Sequence, residues 1–149
     1  PALRDRGLSG AGAMSWAADH IGTPWVAGES DCWHFARRVW RERFGWDVPA
    51  VVTDASDPRA VRRALGIGHE ATGWRPVAGV CAPADGDAVL MAMGRHPCHV
   101  GVWLADAAGP ACLHSVEGAG VILTPMSLLP GLGYRVVGIY RWGAACAPR

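Results

Sequence analysis

The pattern of apolar positions changes character near residue 84. Before it, apolar residues recur at helical spacing. After it, they fall in short blocks separated by Gly, Pro and Asp. The strongest helical stretch runs over 30–45, where Phe35, Ala36, Val39, Trp40 and Phe44 share one face and Arg37, Arg38, Arg41 and Glu42 take the other. Ser30 or Asp31 is suited to cap its start, and Gly45 to end it. A shorter helix is expected over 13–21, broken by Gly22-Thr23-Pro24. Asp57-Pro58 should open another over 59–65. Residues 66–83 show no period, and Trp74 is expected there as a plug. Strands are expected over 88–93, 99–104, 111–116, 121–124 and 134–142, joined by tight turns, with a helical turn near 127–129. Helices first and antiparallel strands after define an α+β fold, with N-terminal helices packed on an antiparallel sheet or small barrel.

The 149 residues suffice for one domain with a real core. Residues 1–12 read as a loosely held arm and 13–149 as a single domain. Half the residues are hydrophobic and the net charge is +1, with no basic cluster, so a nucleic-acid partner is not expected. No apolar run approaches the ~20 residues of a membrane span, and no secretion signal is expected at the start. The chain has no lysine, asparagine or glutamine. That removes Schiff-base chemistry on lysine and the lysine-bearing phosphate loop. It also restricts the third member of any catalytic set to His, Asp, Glu, Ser, Thr or Tyr.

Cys32 falls in the first turn of the 30–45 helix, where unpaired N–H groups and the positive end of the helix dipole gather. That position is expected to favour the nucleophilic thiolate. Its base must come from elsewhere in the chain. His34 lies about 200° round the same helix and cannot face the same point. His20, His69 and His96 fall at a helix end, in irregular chain and in a turn. His99 and His114 fall on neighbouring strands, which can bring two side chains together on one face. One imidazole can then take the thiol proton while the other fixes its tautomer. Small Gly101, two residues beyond His99, leaves room on that face for a helix or a substrate. The alternative use of this region is a zinc site from Cys98, His99, Cys112 and His114, but Cys98 and His99 point to opposite faces and no Cys-x-x-Cys pair is present. No metal and no cofactor is expected. The five cysteines are odd in number and irregular in spacing, so Cys81, Cys98, Cys112 and Cys146 read as small apolar fillers. Of the eight tryptophans, Trp40, Trp103 and Trp142 read as core, and Trp25 and Trp33 flank the cysteine and could line a cleft.

Five segments in order carry a resemblance: Gly22-Thr23-Pro24-Trp25, Asp31-Cys32-Trp33, Asp85-Gly86-Asp87-Ala88-Val89, His99-Val100-Gly101-Val102-Trp103 and Leu113-His114-Ser115. Together they resemble the NlpC-like cell-wall cysteine peptidases. The resemblance spans 13–142 and implies a papain-like fold, with Cys32 as nucleophile, His99 as base and His114 as the orienting residue. Trp25, Asp31 and Trp33 then fall where substrate is bound. The implied reaction is hydrolysis of an amide in the peptide stem of peptidoglycan. Short members of this kind resemble peptidases carried at phage tail tips, which implies other tail proteins as partners and a virion location. Many members have tyrosine at the Trp25 position and Ser-Gly where Trp33-His34 stands. An indole offers only N–H, so the oxyanion site is expected to rest on the backbone N–H of Cys32. A tail subunit that keeps the fold for binding alone, and a thiol amidase or acyltransferase, are the other readings.

Overall fold

The computed structural model describes residues 16–49, 73–77, 79 and 81–143. The expected arm at 1–12, the helix at 59–65, His69 and Cys146 lie outside them. Of the helix expected over 13–21, residues 16–21 are described: 16–18 are helical and 19–21 form a turn, so the helix ends earlier than expected.

The main helix, α1 (Cys32–Val39), starts at Asp31. Its backbone is extended, and its carboxylate accepts the His34 N–H at 3.0 Å. Ser30 is not the cap. Its hydroxyl donates to Pro24 O at 2.6 Å and accepts the Val26 N–H at 3.1 Å, folding the preceding loop. The α-helix is shorter than expected. It widens after Val39 into a π-helical turn, Trp40–Phe44, which Gly45 ends in the left-handed region at φ 68°. Over five residues an apolar period cannot distinguish the two kinds of turn. Most of the expected face is buried: Phe35, Ala36, Val39 and Trp40 are fully enclosed, and Phe44 is half-buried against the same core.

Six strands form one antiparallel sheet in the order β1-β6-β2-β3-β4-β5. They are β1 (Trp74–Pro76), β2 (Ala88–Met93), β3 (His96–Asp106), β4 (Gly109–Val116), β5 (Gly120–Pro125) and β6 (Arg135–Trp142). Strands β2 to β5 form a meander, and β6 returns to pair with β2 and β1. The α+β segregation is thus present. β1 is an addition, since three residues paired only with distant β6 carry no local strand signal.

Alternation along the strands makes two cores. Ala88, Leu90, Val100, Val102, Leu104, Leu113 and Val121 face α1. Val89, Met91 and Cys112 face the other way, where a 3₁₀ segment (Met126–Leu132) contributes Leu129, and Tyr134 follows it. On the α1 side, tryptophan rings meet in series: Trp33 on Trp40 at 5.9 Å, Trp40 on Trp74 at 4.8 Å and Trp74 on Trp142 at 5.2 Å between centroids.

Residues 85–87 join three parts of the fold. Gly86 O accepts the Trp40 indole N–H at 2.8 Å, and Asp85 accepts the Ala105 N–H at 2.7 Å. Buried Asp87 takes a two-point contact from Arg141, with both N···O distances 2.8 Å, and accepts the Ala84 N–H. Cys81 is disulfide-bonded, not the free apolar filler expected from its spacing. Among the described residues no helix is long and apolar enough to cross a membrane.

The middle of the sheet holds a fork. The β3–β4 ladder runs from Asp106–Gly109 only to Val102–Leu113, although both strands continue. Beyond that pair no backbone register joins His96–Gly101 to His114–Val116, and side chains bridge the two strands instead. Pro97 needs no N–H partner there, which lets β3 start three residues earlier than expected. Cys98 is skipped in the β2–β3 register, between Met91–His99 and Ala92–Pro97.

Candidate active site

The cleft at this fork has a volume of about 440 Å³. Cys32 lines it from the tip of α1 and His99 from β3. The loop before α1 is tied to the sheet by the buried Ser115 hydroxyl, which donates to Ser30 O at 2.6 Å. Both Cys32 and His99 are largely enclosed, at 8% and 6% exposure.

Behind His99 a line of buried polar groups leads away from the cleft. His99 Nε2 lies 2.7 Å from His114 Nδ1, and His114 Nε2 lies 2.9 Å from Thr124 Oγ1. The tautomers follow from what each end requires. For His99 to present a bare nitrogen to the cleft, its Nε2–H must donate to His114 Nδ1. His114 Nε2–H must then donate to the threonine hydroxyl, which leaves His99 Nδ1 as the acceptor. Tyr134 fixes the ring plane, stacking on His99 at 4.6 Å and 17° and meeting His114 edge-on at 5.7 Å.

The room that Gly101 leaves is not open to substrate. A Cβ at Gly101 would collide with Cys112 Sγ and come within 3.0 Å of His114 Cβ. The glycine therefore lets β4 carry His114 close against β3.

Electrostatics depart from the expectation for a cysteine at a helix start. Burial pushes the Cys32 thiol up to about 11, with adjacent Asp31 adding to the rise. The backbone N–H groups of Val100 and Trp33 act on the sulfur in the opposite sense, but desolvation is the larger effect. Burial also pushes His99 down to about 3, reinforced by His114, and His114 down to about 4. Both effects of burial favour the neutral thiol and the neutral imidazole over the ion pair.

The substrate-side residues separate. Trp25 lines the cleft. Trp33 does not: it is buried against Trp40, and its indole N–H has no partner among the described residues. Its position one residue past Cys32 turns it toward the sheet core. Asp31 borders the cleft but is fully buried, and its carboxylate is engaged. It accepts from Gly28 N at 2.8 Å and His34 N at 3.0 Å, and meets His34 Nδ1 at 2.8 Å. His34, ruled out as a base from its helical angle, serves as this carboxylate's partner. Cys98, expected as filler, is half-buried and lines the cleft. Among the described residues no three His, Cys, Asp or Glu side chains are grouped to hold a metal ion.

Thr124 and Tyr134 were not singled out from the sequence. Thr124 stands opposite Cys112 and is thus diagonal to His114 on the same face, which pairing the two expected strands across their turn would reveal. Tyr134 gives no such signal, because its place depends on the path of the 3₁₀ segment. In comparisons with known proteins, no family model matches the chain and no curated protein matches it.

Proposed function

We propose that this protein is a cysteine peptidase that hydrolyses an amide bond in the peptide stem of bacterial peptidoglycan. The observation that carries the reading is the convergence of Cys32 and His99 on one cleft with His114 and Thr124 in line behind the imidazole. A helix with cysteine in its first turn, packed on one face of an antiparallel sheet, supports a papain-like domain of NlpC type. The peptidoglycan substrate and a place among phage tail proteins in the virion rest on the sequence resemblance.

In this mechanism His99 Nδ1 takes the Cys32 proton as the sulfur attacks the carbonyl carbon. The oxyanion forms near the backbone N–H of Cys32, at a helical position where the ladder offers no acceptor. His99 then returns the proton to the leaving amine. Water attacks the resulting thioester with His99 again as base. His114 and Thr124 hold the ring orientation throughout.

The test is digestion of purified peptidoglycan, with the released fragments weighed. Wild-type protein should release cleaved stems. Cys32→Ala and His99→Ala should lower the rate by about 10³-fold or more while the folded spectrum is kept. Full activity in either variant would rule this mechanism out. Transfer of the acyl group to an added amine would identify an acyltransferase on the same scaffold.

A second reading draws on the electrostatics. A neutral thiol beside a neutral imidazole is what a binding subunit that no longer turns over would also keep. Peptidoglycan binding without release of fragments, and a Cys32 inert to thiol reagents at every pH, would favour it.

A further inference from the structure

We propose that Glu117 is a specificity-determining residue of this cleft, its carboxylate receiving a protonated amine of the substrate. The inference rests on the peptidase reading and names what the cleft selects.

The charge inventory of the cleft carries the argument. Its described lining is largely apolar, with Trp25, Met93, Ile122, Leu132 and Tyr134 among the walls. Two carboxylates border it, Asp31 and Glu117, and among the described residues no arginine does. Asp31 is buried, with three donors already on its oxygens. Glu117 is exposed and has no ion pair or hydrogen bond among the described residues. The histidines are held neutral, so neither opposes a cationic ligand. A substrate group entering here meets one uncommitted charge, and it is negative.

Glu117 is also well mounted. It opens the turn between β4 and β5, closed by Ala119 N–H on Val116 O at 3.1 Å. The far side of that turn is clasped to the loop that carries Trp25. Gly22 N–H donates to Val121 O and Val121 N–H to Thr23 O, both at 2.9 Å. Gly120 makes the clasp possible, since a Cβ there would lie 2.5 Å from Thr23 O. Carboxylate and indole thus stand on one fixed platform at the cleft, a combination that suits an ammonium group.

A stem peptide offers such an amine at its free N-terminus or on the side chain of its diamino acid. Four synthetic stem peptides separate these sources: one with both amines free, one acetylated at each position, and one acetylated at both. With wild-type protein, acetylating the recognised amine should lower kcat/KM about tenfold, mainly through KM, and the penalty should shrink as salt is raised. In Glu117→Gln the same acetylation should cost less than twofold. Equal discrimination by both proteins would overturn the proposal.

Binding to Cys32→Ala protein, followed by calorimetry, supplies a reading independent of turnover. Tighter binding of the free-amine peptide that Glu117→Gln abolishes supports the role of Glu117. Equal affinity for all four peptides refutes it, even where hydrolysis is observed. Absence of hydrolysis with this discrimination intact would overturn the peptidase reading alone.

Discussion

A sulfur is nucleophilic only to the extent that it is ionised. Cys32 sits at a helix start, yet its thiol is held near 11 because enclosure removes more solvation than two backbone N–H groups restore. Alkylation of Cys32 by iodoacetamide should therefore rise about tenfold per pH unit from pH 7 toward 10, followed by mass spectrometry. A plateau below pH 8 would mean a preformed ion pair instead. Thr124 allows a second test. Thr124→Val leaves His114 Nε2–H without an acceptor and lets the tautomer chain reverse. The expected result is a fall in kcat of about tenfold with little change in KM, rescued by Thr124→Ser. Unchanged kcat would remove threonine from any positioning role.

The tip of α1 and the β3–β4 fork hold these groups in place. Asp31→Ala removes the cap and strands the Gly28 N–H and His34, so it should destabilise the fold by about 2 kcal/mol in urea titration. Asp31→Asn, which keeps an acceptor oxygen, should lose less. Gly101→Ala forces Cys112 and His114 away from β3 and should cost roughly 1–3 kcal/mol, with any activity falling further than stability. The apolar period of 30–45 revealed the helix and its buried face, and alternation with turn residues revealed five of the six strands. The pairing of His99 with His114 was readable because both fall on adjacent strands. Three features were not readable: β1, the early start of β3, and the use of the Gly101 gap by Cys112. Each depends on which strand lies alongside, which local spacing does not encode. The thiol's ionisation was misjudged for a related reason. A helix position is visible in a sequence, whereas the depth at which that helix end is packed is not.

Two imidazoles buried together also govern how the whole fold responds to acid. Both have folded values below the unfolded value of about 6.5, so the unfolded chain binds more protons between there and about 3. Their contribution is fully present above pH 6.5 and is lost as pH falls. Stability should decline by up to about 1.4 kcal/mol per pH unit for each imidazole below pH 6. Urea midpoints from pH 7 to pH 4 check this, and His99→Ala should flatten the slope. A pH-independent midpoint would mean the pair is not buried in solution. The Asp87–Arg141 contact should matter at neutral pH. Asp87→Ala leaves the Arg141 guanidinium without its two-point partner and the turn without its anchor, a loss of about 3 kcal/mol.

The tie between Ser115 and Ser30 has a consequence for how the site comes into being. It joins an early loop to a late strand, so the loop that leads into Cys32 is fully seated only when β4 has joined the meander. A nascent or nicked chain lacking β4 would carry Cys32 and His99 without the second imidazole behind the first and without the Ser115 tie. The full alignment of these groups is thus a property of the finished sheet and not of the cysteine-bearing helix alone.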